Sequence, residues 1–188
     1  MTMRDFQNFL LRFLIIHIFV FSLCTCNFVD RIALRVVDGT GTGNIFPLST
    51  SSIGSHFNVS FIFAKLVPTK PIDACSRIVN SNEVQNGIAF VIRGKCSFVT
   101  KASFAQAAGA VAFIAYDYMN NSARILNMVP DETATQVLIP CAFMQGSYAQ
   151  KLISLMEAAN KTSLDVDFPV DANGVPIIAA QYTPLRLW

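Results

Sequence analysis

Apolar residues fall along this chain in short runs separated by clusters of Gly, Pro, Asn, Asp and Ser. Runs of that length, bounded by turn residues, predict strands rather than long helices. RIALRVV (31–37) reads as a strand leading into the glycine-rich DGTGTGN (38–44), and FNVSFIFAKLVP (57–68) as a second strand. Residues 69–87 carry turn residues without sustained periodicity, which predicts a loop with one helical turn.

The pattern is clearest over residues 88–116. IAFVI (88–92) is continuously apolar, as expected of a strand buried on both faces. Arg93, Gly94 and Lys95 make a turn, Ser97 is placed to cap a helix, and Phe98, Ala102, Ala105 and Ala108 recur at helical spacing. Gly109 stands where a left-handed residue ends the helix, and AVAFIAY (110–116) supplies another buried strand. This is a βαβ unit, whose strands pair in parallel.

A second such unit is expected downstream. VLIPCAF (137–143) is strand-like, with Pro140 placing it at a sheet edge or beside a bulge. A helix over 147–159 is expected to bury Tyr148, Leu152, Leu155, Met156 and Ala159. LDVDFPV (164–170) alternates apolar and acidic residues, predicting a strand with one wet face, and VPIIAAQY (175–182) reads as the last strand. The fold class is therefore α/β (α+β), with about seven strands, two main helices and βαβ units.

The ends change the picture. Arg4 and Arg12 form a basic stretch before the apolar 13–24 segment, FLIIHIFVFSLC, which is followed by small residues in CTC (24–26). That segment is short for a bilayer span and has the layout of a cleaved export signal. The reading is a signal over 1–26, a single domain over 27–188 and a secreted product with no membrane span after cleavage. Losing Arg4, Arg12 and Asp5 lowers the net charge from +2 to +1, which offers nothing to draw nucleic acid. Cys75, Cys96 and Cys141 then remain, an odd number that allows three single pairings and leaves one thiol over. Export also gives meaning to the glycosylation sequons at Asn58, Asn120 and Asn160.

Catalytic chemistry finds little support. With His17 inside the signal, His56 is the one histidine left for a nucleophile–base machine, and no G-x-S-x-G elbow accompanies it. No H-E-x-x-H or C-x-x-C motif marks a metal site, and no cofactor fingerprint occurs. DGTGTGN lacks the Lys-Ser/Thr of a phosphate loop. Asp165 and Asp167 share a strand face and are read as solvated rather than as an acid pair or calcium ligands, and PDET (130–133) as a turn. A non-enzyme without cofactor or metal is the expectation, and a cryptic hydrolase built on His56 is the enzymatic alternative.

The ordered series RGKCSF (93–98), Lys101, AQAAGA (105–110), FIAYD (113–117) and IPCAF (139–143) resembles the protease-associated (PA) domain. The motif-bearing core covers about 57–159. LVPTKPIDAC (66–75) is similar to a branch of small secreted glycoproteins made of a stand-alone PA domain. The resemblance implies an open β-barrel or sheet flanked by helices, and a non-catalytic module that serves as a lid, recruitment surface or peptide receptor. It also implies that Cys75 pairs with Cys96, while Cys141 departs from the family pattern in an apolar strand context. By analogy with open α/β sheets, the contact surface is expected at the C-terminal ends of the parallel strands, on Arg93, Asp117, Tyr118 and Asn120. A salt bridge between Arg93 and Asp117 is the competing structural role for both. The function implied is protein or peptide binding, the alternative being a secreted regulatory factor without a peptide groove.

Overall fold

A computed structural model describes residues 31–37, 43–119 and 124–177. The expected signal, most of DGTGTGN, Asn120 with its sequon, and the sequence beyond Ile177 lie outside these residues. The elements run β1 (Arg31–Val36), β2 (Ile45–Thr50), β3 (Phe61–Pro68), α1 (Ser81–Val84), β4 (Ile88–Ile92), α2 (Phe98–Ala107), β5 (Ala112–Tyr116), β6 (Cys141–Met144), α3 (Gly146–Ala158) and β7 (Leu164–Val170).

The seven strands close into a barrel in the order β1-β2-β6-β5-β4-β3-β7. β3, β4, β5 and β6 are parallel neighbours, while β1, β2 and β7 complete the ring through antiparallel pairs. The expected open barrel is thus closed, because β1 bridges β2 and β7. Closure removes sheet edges altogether.

All seven strands send side chains into one interior core: Leu34, Phe46, Leu66, Phe90, Ile114, Met144 and Phe168 are among them, and Leu152 and Met156 of α3 join the same cluster. The opposite faces of β4, β5 and β6 carry Ala89, Val91, Phe113, Ala115 and Phe143 into a second core beneath Val99, Ala102 and Ala105 of α2. The continuous apolar runs therefore have a physical reason, since both faces of these strands are covered. α2 starts at the expected cap, where Ser97 Oγ accepts from Thr100 N, and Gly109 follows its end at φ 82°.

Several expectations change. The described residues hold seven strands, and one of them, β2, was not anticipated. Pro47 disguises β2 in the sequence, yet within the strand it lies on the exposed face. Of the anticipated strand at 175–182, residues 175–177 are described, with Pro176 in a bridge to Val170, and the remainder lies outside the described residues. β6 begins after Pro140 and lies between β2 and β5, away from any edge, and Pro140 still accepts from Phe113 N. The second βαβ unit is absent: β7 pairs with β1 and β3, not with β6. α3 buries Gly146, Ala149, Leu152 and Met156, whereas Tyr148 and Leu155 are half-buried and Ala159 is exposed. α2 buries Lys101 alongside its alanines, while Phe98 is only half-buried.

The largest correction concerns β7. Asp165 and Asp167 do share a face, but only Asp165 is wet, pairing with Lys65 at 2.9 Å. Asp167 is 1% exposed and bonds the Arg35 guanidinium at 2.5 and 3.2 Å, opposite it in the β1–β7 register. Its other oxygen accepts from Phe63 N at 2.9 Å. Phe63 stands at φ 54°, within the register shift between β3 and β7. A bulky residue there is strained, so the Asp167 carboxylate holds a bulge that extended pairing would not form.

Asp167→Ala strands both Arg35 and the Phe63 amide and is expected to destabilise the fold by about 3 kcal/mol. Asp165→Ala breaks an exposed pair and is expected to stay within about 1 kcal/mol of the parent. Urea unfolding of the two variants measures the contrast, and equal effects would show that the Asp167 pair contributes no more than the surface one.

Candidate functional site

The C-terminal ends of β4, β5 and β6 carry the loops on which Arg93, Asp117 and Tyr118 stand. Arg93 leaves β4 with its own N–H bonded to the Tyr116 carbonyl at 2.9 Å, so it lies beside the end of β5. Its guanidinium bonds Asp117 Oδ2 at 3.3 Å and sits 5.1 Å from the centre of the Tyr118 ring. Asp117 is buried, and its other oxygen accepts from Met119 N. The carboxylate therefore fixes the 117–119 loop and neutralises Arg93 together.

Three of the four expected residues are thus assembled, with roles divided, and Asn120 lies outside the described residues. Arg93 and Asp117 form the structural pair, while Tyr118 and Met119 face solvent, 55% and 48% exposed. A Cβ built on Gly146 would lie 1.9 Å from the Met119 carbonyl oxygen, so the 117–119 loop rests directly on the start of α3. At the same end, a hollow of about 230 Å³ is lined by Ser49, Ile125, Gln145 and Tyr148, among others. Ile125 is also half exposed.

A second cluster secures the neighbouring loops. Cys75 and Cys96 form a disulfide that joins the 69–80 loop to the turn before α2. Lys95 Nζ bonds Asp73 Oδ2 at 2.6 Å, and Ile92 N donates to the Ile72 carbonyl. The Lys95 hydrogen bond, followed by that from Cys75 N–H, holds the Asp73 carboxyl below its ordinary pKa. Asn80 fastens the far side, accepting from Lys70 N and donating to the Pro68 carbonyl. Lys101 reaches into this cluster from α2, fully buried, and donates to the Asp73 carbonyl and to Cys75 Sγ. Burial pushes its pKa below the lysine value, against the opposing charge of Asp73.

The other candidates are dispersed. His56 and Asn58 lie exposed between β2 and β3. Asn160 is exposed beyond α3, at φ 49°. Asp131 of PDET accepts from Thr133 within its own turn, as expected, and its pKa is lowered first by a hydrogen bond from Ser97. Among the described residues, no three His, Cys, Asp or Glu side chains converge as metal ligands would. None of their helices is long and apolar enough to cross a membrane.

Comparison with known proteins places this geometry. A PA-domain sequence model matches residues 62–152. The PRADC1-like protein of Drosophila melanogaster is 30% identical over 138 residues, covering 72% of this chain and 70% of that protein. The chain belongs to the PA domain family. Signal peptide peptidase-like 2 of Arabidopsis thaliana is 31% identical over 106 residues, 55% of this chain and 19% of that protein. An aminopeptidase from Aneurinibacillus sp. strain AM-1 shares the fold, with a TM-score of 0.52 at 17% identity over 76% of this chain and 31% of that one. The chain thus spans most of the fly protein but less than a third of the other two.

Within the PA barrel, Cys141 has its own setting. It lies on the outer face of β6, 2% exposed, and burial pushes its thiol pKa up to about 12. Met119, Ile125, Asp73, Asn80 and the buried Lys101 are among the residues of these clusters that sequence reasoning passed over. Lys101 stood within the recognised motif, but its alkyl stem reads as surface until the helix is docked.

Cys96→Ser is expected to cost about 2–5 kcal/mol, the range for native disulfides in small secreted domains. Cys141 is expected to react with iodoacetamide only after denaturation, because a buried thiol of high pKa offers little thiolate. Peptide mapping under non-reducing conditions, with and without urea, reads both sites. Fast native labelling of Cys141 would show that β6 does not shield it.

Proposed function

We propose that this chain is a secreted, non-catalytic glycoprotein whose PA domain binds a protein or peptide segment across the ends of β4, β5 and β6. The observation that carries this reading is Tyr118. Its ring is half exposed while the Arg93–Asp117 pair beneath it is fixed. Aromatic anchors on a rigid base lose little conformational entropy on binding and concentrate interface energy. Met119 and Ile125 extend the apolar surface, and the hollow beside Tyr148 has room for a single side chain of a partner.

Export is supported by the Cys75–Cys96 disulfide, since such bonds persist in oxidising compartments, and by the apolar 13–24 segment. Glycosylation at Asn58 and Asn160 is supported by their exposure, and Asn120 belongs to the same proposal on its sequon. The non-catalytic reading is supported by the commitment of the candidate acids. Asp167 is held by Arg35 and Asp165 by Lys65, which leaves His56 without an acid partner from that pair.

Affinity capture from the culture medium of expressing cells, using the glycosylated protein, tests the binding reading. A partner retained by the parent is expected to be lost at least tenfold by Tyr118→Ala and retained by Lys161→Ala, on an exposed loop beyond α3. Equal retention by both variants would move the contact elsewhere. Peptide:N-glycosidase treatment of secreted material is expected to lower its apparent mass. A peptidase and esterase screen is expected to stay at buffer level, and an activity abolished by His56→Ala would restore the enzymatic alternative.

A further inference from the structure

Lys101 is an unusual choice for the covered face of a helix. Its side chain is 0% exposed, and its neighbours on that face are Val99, Ala102 and Ala105. The Asp73 carboxylate is taken by Lys95, and Lys101 itself makes no salt bridge among the described residues. Its acceptors are a backbone carbonyl and, at 3.3 Å, the sulfur of Cys75. A disulfide sulfur accepts weakly, so the oxidised protein holds a buried ammonium against a poor partner. A thiolate at the same place would be a full counter-ion.

We propose that the Cys75–Cys96 bond is a thiol-exchange site in which Cys75 is the leaving sulfur, Lys101 its counter-ion, and a glutathione-class thiolate the co-substrate. In the step, the incoming thiolate attacks Cys96 Sγ and the Cys75–Cys96 S–S bond breaks. A new S–S bond joins the co-substrate to Cys96, and the electron pair of the broken bond stays on Cys75 as a thiolate beside the Lys101 ammonium. No net oxidation occurs, and the negative charge passes from one sulfur to another. Exchange is faster when the leaving thiol has the lower pKa, and an adjacent lysine lowers that of a cysteine.

The surroundings favour this direction of attack. Cys75 and Cys96 are each half-buried, the Gly94 turn beside them is open, and among the described residues no side-chain ammonium bonds the Cys96 sulfur. Cys75 instead has Lys101 at its sulfur. The free thiol of Cys141 does not compete, because it is buried and carries little thiolate. The Lys95–Asp73 bond joins the same two loops and is not itself broken by the step.

Reduced glutathione added to the purified protein, followed by acid quench, alkylation and peptide mapping, tests the assignment. Glutathione is expected on Cys96 with Cys75 alkylated, and an adduct on Cys75 instead, or none on either, would overturn the proposal. Lys101→Met keeps the length and removes the charge. It is expected to slow exchange at least tenfold and to shift the exchange equilibrium tenfold toward the Cys75–Cys96 disulfide. Unchanged rate and equilibrium in a folded Lys101→Met protein would equally overturn it. Should that variant fail to fold, the site of the adduct in the parent decides alone.

Discussion

β4, β5 and β6 are apolar on both faces, and this constraint governs the architecture. A strand such as IAFVI has no side that tolerates water, so two separate layers must cover it. The inner layer is the barrel interior, which antiparallel β1, β2 and β7 complete and α3 joins with Leu152 and Met156. The outer layer is α2 with its small residues, supplemented by Ala74, Ile78 and Val84 from the 69–87 connection. Alanines at 102 and 105 let the helix approach closely. At about 25 cal/mol per Å² of apolar surface buried, neither layer is dispensable for a domain of this size.

A connection that serves as part of a core has to be held there, and the 69–87 segment has little regular structure of its own. Only the single turn Ser81–Val84 is helical. The Cys75–Cys96 bond, the Lys95–Asp73 pair and Asn80 supply the missing constraints from three directions. Together they explain why so polar a stretch stays against the outer layer. The disulfide therefore belongs to the packing of the parallel strands, and does not merely close a surface loop.

What the sequence disclosed and withheld follows from locality. The βαβ unit over 88–116 was legible because cap, helix period and stop are all written within one segment. The Arg93–Asp117 contact was legible for a related reason: both residues end adjacent parallel strands, which the unit itself makes neighbours. β2 was not legible, since Pro47 argues against a strand unless one knows which side faces solvent. The role of Asp167 was hidden more deeply. Its partners, Arg35 and the Phe63 amide, lie 132 and 104 residues away, and only barrel closure brings them together. An acid alternating with apolar residues looks wet when its counter-charge is on a strand of unknown pairing.

Rigid packing and exposed side chains meet at the rim of the parallel strands. A recognition surface needs a floor that does not move and side chains that have not yet spent their contacts. Arg93 loses its freedom to Asp117 during folding, so its ordering is complete before any partner arrives. Tyr118 inherits that order through the guanidinium stacked on its ring, while its outer face stays available. A cation–π contact at an exposed site contributes about 0.5–1 kcal/mol, enough to bias a ring orientation severalfold. Burial of the Asp117 carboxylate would thus act on the proposed contact without taking part in it, by fixing the exposed aromatic beside it.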